Sequence, residues 1–301
     1  MRFHDFDLNL LVYLDALLAE KSVSKAAERV SITQPAMSEA LARLRGFFRD
    51  DLLVHVAGRG MIITPLALSL VDPVREILLQ AQAVASATID FDPSKSHRKF
   101  RIMASDYVYD ILIRRLLLQL SLEAPEVRIE VRRVTVGAAE EIKRADLDLL
   151  ITPLGYVSKE LPCEPLWEES IVCAVWSRNK QVGKELSLKR YLEMGHVCRS
   201  MDGQTAEFDR WFLAHHGPKR RVEVVAPDFG MVLRALEGTN RIAMVHLRQF
   251  RMYAKAFSLR MVKPPVDFPT VTESMQWHQH QEHDPGLVWL RNCVRSIAGK
   301  I

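Results

Sequence analysis

Three residues near the start of the chain, Gln34, Pro35 and Ser38, have the types and spacing to read the edge of a base pair. Gln34 can pair bidentately with adenine, Ser38 offers a donor and an acceptor, and Pro35 and Ala42 can each meet a thymine methyl group. Farther along, Ser105-Asp106 closes an apolar strand at the start of a helix, where free amides and the helix dipole favour an anionic group. Arg248 follows a second apolar strand by way of His246. Two other groupings admit different chemistry. His278, His280 and His283 stand in Trp277-His-Gln-His-Gln-Glu-His, and alternation on a strand would put His278 and His280 on one face as metal ligands. No nucleophile, base or carboxylate pair nearby completes a reaction centre, which favours packed or surface histidines over a metal-dependent enzyme. Cys163 and Cys173, ten residues apart, are the pair a peroxide sensor would use, but Cys173 falls within an apolar strand where a thiol is inert.

The base-reading residues need a helix, and Ser22 to Phe47 supplies two joined by a tight turn. Ser22 can cap the first, and Ala26 and Ala27 leave room for close packing. Thr33 can cap the second, with Pro35 in its first turn, where a missing N–H costs nothing. At 100° per residue, Ala36, Met37, Ala40, Leu41, Leu44, Phe47 and Phe48 share one arc, while Gln34, Pro35, Ser38, Ala42 and Arg45 share the opposite one. A helix over Leu8 to Lys21 supports the pair. Leu53 to Val56 and Met61 to Thr64 read as a hairpin whose tip, Ala57-Gly58-Arg59-Gly60, is a wing that presents Arg59 to a minor groove or a phosphate. This is a winged helix-turn-helix. Its charge comes to zero, eight Lys and Arg against eight Asp and Glu over residues 1–65, so attraction to phosphate must come from placement.

From Leu66 to about Thr88 a helical pattern of period close to 3.5 suits a seam between two chains, with packing on its own domain as the alternative. Pro73 predicts a kink or break near Leu70. Asp90 to Lys99 is polar and proline-bearing, as linkers are. Beyond it, strand-like and helix-like segments alternate, which predicts βαβ units on parallel sheets in two α/β subdomains, with a ligand cleft between them beyond the strand ends. The expected domains are 1–65, 66–90 and 91–301, the last divided into lobes of about 91–160 with 266–301 and about 161–265.

The whole chain of 301 residues carries 48% hydrophobic residues and a formal charge of +4, enough for a large core and too mild to demand a polyanionic partner. Its four cysteines include no CxxC, so neither a zinc site nor a disulfide framework is signalled, and a reducing cytoplasm is expected. No apolar run is long enough to span a membrane, and no motif calls for a cofactor.

The segment FDLNLLVYLDALLAEKSVSKAAERVSITQPAMSEALARLR resembles the N-terminal signature of LysR-type transcriptional regulators, and the order of winged helix-turn-helix, long helix and two-lobed module extends that resemblance to the whole chain. FDPSKSHRKFRI, EMGHV and KRRVEVV further resemble the branch containing the NodD flavonoid sensors and NahR-like salicylate sensors. The resemblance implies a non-enzymatic regulator with a C-terminal effector domain like the periplasmic binding proteins. It implies a dimer or tetramer on an inverted-repeat operator in double-stranded DNA, with RNA polymerase as a further partner, and a small aromatic effector between the lobes. It places groove contacts on Thr33, Gln34, Pro35 and Ser38, with Arg59 in the wing, and the effector site on Ser105, Glu169, Thr205 and Arg248. Salicylate sensors of the branch resemble one another in carrying histidine where this chain has Glu169. An acid there suits a neutral phenolic ligand, or an ion pair with Arg248 in the empty state.

Overall fold

The computed structural model describes residues 7–56, 58, 60–86, 91–183, 185–201, 203–217 and 220–301. They form two compact units, divided between Ile89 and Asp90.

In the first unit, α1 (Asn9–Glu20), α2 (Val23–Arg29) and α3 (Gln34–Phe48) are followed by β1 (Leu53–Val56), β2 (Gly60–Ile63) and α4 (Pro65–Ser86). The expected caps are in place. Ser22 Oγ accepts from the Lys25 amide at 3.4 Å, and Thr33 Oγ1 accepts from the Ala36 amide at 3.4 Å. The turn between α2 and α3 passes through Ser31 at φ +57°, a left-handed conformation. Leu14, Leu17, Ala26, Met37 and Leu44 meet in one core. The hairpin is antiparallel, Val56 pairs with Gly60, and Gly58 and Gly60 take φ of +77° and +73°, which only glycine adopts freely.

Pro73 does not break helix α4, which continues from Pro65 to Ser86. The proline deletes one ladder bond, but the next turn is pinned to the core. Val74 is buried, and the Arg75 Nε lies 2.9 Å from Asp15 Oδ1 on α1. The helix also has two stripes rather than one. Ala67, Leu70, Val71, Val74 and Leu78 pack on their own unit, while Leu66, Ile77 and Val84 are exposed.

The second unit has two lobes. The order begins β3 (Lys99–Ala104), α5 (Asp106–Val108), α6 (Arg114–Glu123), β4 (Arg128–Arg132), α7 (Ala138–Lys143), β5 (Leu149–Pro153) and β6 (Cys163–Glu169). It continues with β7 (Ile171–Trp176), α8 (Leu188–Glu193), β8 (Gly195–Met201), β9 (Gln204–Thr205), α9 (Glu207–His216), β10 (Arg221–Ala226), α10 (Phe229–Arg234), β11 (Ile242–His246), α11 (Leu247–Tyr253) and β12 (Leu259–Val262). β13 (Val271–Gln276) and α12 (Pro285–Ala298) complete it. One sheet has the order β4-β3-β5-β13-β6, and the other β10-β8-β11-β7-β12, with β9 beside β8.

Both sheets are mixed, which corrects the expectation of parallel ones. β3 runs parallel to β4 and β5, but β13 is antiparallel to β5 and β6; β7 is antiparallel to β11 and β12. The reversals occur where the chain passes between lobes, because a strand entering from the other lobe arrives from the opposite end of the sheet. The crossover also shifts a lobe boundary. β6, expected in the second lobe, pairs with β13 in the first, and the chain crosses at Ser170 between β6 and β7.

Candidate functional site

On α3, Gln34, Pro35, Ser38 and Ala42 are exposed, while Met37, Ala40, Leu41 and Leu44 are buried, so the face expected to read bases is turned outward. Arg45 does not join it. Its Nε donates to the Asp51 carbonyl at 2.8 Å and its Nη2 to the Leu53 carbonyl at 2.8 Å, tying the end of α3 to the wing's first strand. The two backbone carbonyls lie beyond the helix end, one in the loop and one in β1, and they engage the guanidinium that the expected contact would need. Arg59 lies outside the described residues.

The second unit carries a cleft of about 460 Å³, open mouth included, between its lobes. Ser105 at the end of β3, Thr152 and Pro153 at the end of β5, and Glu273 on β13 come from the first lobe, together with Tyr156. Arg199, Glu207, Phe208, Phe229 and His246 come from the second. The aromatic wall is built around His246, which is 2% exposed. Its ring stacks on Tyr107 with centroids 3.9 Å apart and meets the edges of Phe229 at 4.5 Å and Phe208 at 5.5 Å. Burial, with Arg199 nearby, holds this imidazole neutral by pushing its pKa down to about 3.

Two clasps close the rim. Asp106 at the start of α5 accepts from the amides of Phe229 at 3.1 Å and Gly230 at 2.8 Å, so a first-lobe carboxylate caps a second-lobe helix. Gln249 of the second lobe, fully buried, donates to Asp106 at 3.3 Å and to Asp110 at 3.1 Å. On the other side, the Tyr156 hydroxyl donates to the Thr205 carbonyl, and Arg210 lies over the Tyr156 ring at 4.3 Å.

The four residues expected to hold an effector therefore separate. Ser105 lines the cleft, while its Oγ also accepts from the Val108 amide at 3.2 Å. Thr205 serves the rim through its backbone. Glu169 and Arg248 stand behind the wall, paired with each other at 3.1 Å. Glu169 is completely buried, accepts from the Tyr107 hydroxyl and the Ser170 amide, and is linked to the cleft through the Tyr107 ring stacked on His246 and through its charge acting on Glu273. Arg248 also donates to the carbonyls of Glu168 at 2.8 Å and Ile301 at 3.4 Å. The expected ion pair is present, but neither partner lines the cavity.

The sequence reading missed Glu273, Glu207, Arg199, Phe208 and Phe229. Glu273 had a signal, since it shares a period-two face with Val271 and Met275, an acid on the apolar side of a strand. The aromatic pair had none, because Phe208 and Phe229 come from separate helices and meet, with ring centroids 6.1 Å apart, only once the chain has folded.

The two other chemistries dissolve on inspection. His278 is not on a strand. It caps a 3-10 turn, its Nδ1 accepting from the His280 amide at 3.1 Å, while His283 is exposed. Among the described residues no three His, Cys, Asp or Glu side chains gather as a metal site. Cys163 and Cys173 lie in different sheets, both are free, and burial pushes both thiols up, away from the reactive thiolate that a redox sensor needs.

A winged helix-turn-helix joined by a long helix to a two-lobed module with a walled cleft defines a class of one-component DNA-binding regulators. The comparisons narrow it. Residues 8–68 match the bacterial regulatory helix-turn-helix protein family of LysR type, and residues 94–298 match the LysR substrate binding domain. The chain belongs to the LysR family of transcriptional regulators. It is 40% identical to nodulation protein D of Bradyrhizobium sp. strain ANU 289, over all of this chain and 89% of that one. Among solved structures, a probable transcriptional regulator from Pseudomonas aeruginosa shares 24% identity over 97% of both chains with a TM-score of 0.66. Full-length OxyR from Pseudomonas aeruginosa shares the fold at 16% identity and a TM-score of 0.77, over 98% of this chain and 97% of that one. The relatives are regulators rather than enzymes, and no helix among the described residues is long and apolar enough to cross a membrane.

Proposed function

We propose that this LysR-type regulator reads an operator through the exposed face of α3 and is controlled by a small aromatic, phenolic effector held in the interlobe cleft. The observation that carries the effector reading is the buried aromatic wall of Phe208, Phe229 and His246 facing polar groups of both lobes across one cavity. A ligand touching both lobes biases their relative angle, and it shifts the regulator only by its differential affinity for the two states. Trp167 donates to the Tyr107 hydroxyl at 3.0 Å, which puts an intrinsic fluorophore behind the cleft wall. Titrating the protein with a panel of phenols and aromatic acids should give saturable fluorescence changes with some members, and Phe208→Ala should weaken them by about tenfold or more. Unchanged affinity in that variant would remove the effector from this cleft.

In the DNA-binding unit, Gln34, Pro35 and Ser38 specify sequence. Thr33 holds the helix start in place, and a second copy of the chain, paired along the exposed stripe of α4, supplies the other half of a two-fold site. Gln34→Ala should lose about 1–3 kcal/mol on DNA selected from a random pool and little on unselected DNA. Equal losses on both would show that Gln34 does not read bases.

A further inference from the structure

Four side chains of the cleft wall, Glu273, His246, Glu207 and Arg199, carry buried polar atoms without a hydrogen-bond partner, and the first two are the ones almost wholly out of solvent. Glu273 is 1% exposed and its Oε2 has no hydrogen-bond partner; His246 is 2% exposed and its Nδ1 has none. Both line the same cavity. A buried polar atom without a partner is costly, and one aimed into a cavity is completed when a ligand supplies the missing bond.

We propose that Glu273 and His246 are the specificity pair of the cleft, selecting an uncharged aromatic effector that carries both a hydroxyl and an acceptor oxygen, and excluding carboxylates. This rests on the reading of the cleft as the effector site. Burial, to which the nearby carboxylates Glu207 and Glu169 add, pushes the Glu273 carboxyl up to about 8. At neutral pH it is a carboxylic acid, with an O–H to donate and a carbonyl to accept. His246, fully buried and neutral, offers one N–H and one lone pair; with the proton on Nε2, Nδ1 accepts. The effector's hydroxyl then donates to His246 and its acceptor oxygen receives the Glu273 proton donor.

An anion would find its one prospective cation already offset. Arg199 lines the cleft wall with its Nε unpartnered, but the charges of Asp106 and Asp228 already act on it, and its guanidinium lies over Phe229 at 5.5 Å. Glu207, whose Oε2 is also unpartnered, faces the same cavity and repels a carboxylate. Selection thus arises from two neutral donor–acceptor groups beside a residual negative charge.

The test uses three bicyclic probes: methyl 6-hydroxy-2-naphthoate, the free 6-hydroxy-2-naphthoate anion, and methyl 6-methoxy-2-naphthoate, which has no titratable group. At pH 7 the hydroxy ester should bind the full-length protein at least about tenfold more tightly than the anion. Glu273→Gln keeps an uncharged donor and acceptor and should keep that preference, whereas Glu273→Leu should lose about tenfold in ester affinity. For the methoxy ester, wild-type affinity should fall as pH rises through about 8, where Glu273 ionises, and Glu273→Gln should be flat. The variant separates Glu273 from Glu207, Glu169, Tyr107, Tyr156, Arg199 and His246, the other titratable groups that face it. An anion bound as tightly as the ester, or a wild-type profile as flat as the variant's, would overturn the specificity pair while leaving the cleft reading intact. No saturable binding of any probe up to about 1 mM would overturn the cleft reading itself.

Discussion

Arg248 and Glu169 show how a residue can be assigned to the right neighbourhood and the wrong task. The resemblance put both at the effector, yet Arg248 binds the buried Glu169 carboxylate behind the cleft wall. Removing one partner of such a pair strands the other charge. Arg248→Ala should therefore destabilise the second unit toward the lower end of about 3–5 kcal/mol, because the arginine side chain is 31% exposed and partly screened. Glu169→Gln in that background should recover most of the loss. Thermal melting of the single and double variants checks this, and unaltered melting with abolished effector binding would put Arg248 back in contact with ligand. At this scale the sequence showed what depends on local order. Ser105 was legible because a strand end and a helix start adjoin it, and Thr33 because a cap has only a few forms. The Tyr107–Glu169 bond spans 62 residues and leaves no local trace.

Helix α4 makes the same point for an element. Its apolar residues recur at a mean spacing near that of a coiled-coil seam, but the average merges two faces. Ala67, Val71, Val74 and Leu78 look inward, while Leu66, Ile77 and Val84 look out, about a quarter to a third of a turn away at 100° per residue. Neighbouring positions 77 and 78 thus belong to different surfaces. Ile77→Glu should leave folding intact and shift the protein toward monomer in sedimentation at low micromolar concentration, if the outer stripe pairs two chains. Leu78→Glu should instead unfold the first unit by burying a charge in its core, which circular dichroism would register. A fully dimeric Ile77→Glu protein would move the interface elsewhere. Periodicity recovers the existence of such a helix readily. It cannot say which of two adjacent stripes meets its own domain, since that depends on the direction from which α1 approaches.

For the molecule as a whole, the division into a DNA-binding unit and a two-lobed α/β unit was legible because helix-spaced and strand-spaced patterns change over at a polar segment. What escaped was the mixed direction of the sheets and the pairing of β6. Cys163–Glu169 reads CEPLWEE, with a proline and three acids, and acquires strand structure only from its long register with β13. Its membership of the first lobe comes from a strand 100 residues later, beyond the reach of any window of local sequence.

That strand order also sets a timetable for the chain as it leaves the ribosome. All the strands of the second lobe lie between residues 171 and 262, so its sheet can close as soon as that stretch has emerged. The first lobe begins earlier and finishes later. β13 sits between β5 and β6, which have no other link across the sheet, so the older lobe waits with its middle strand missing until residue 276 is synthesised. The cleft, which needs Glu273 on that strand, is therefore complete only when the last strand of either sheet has been made, with α12 still to follow.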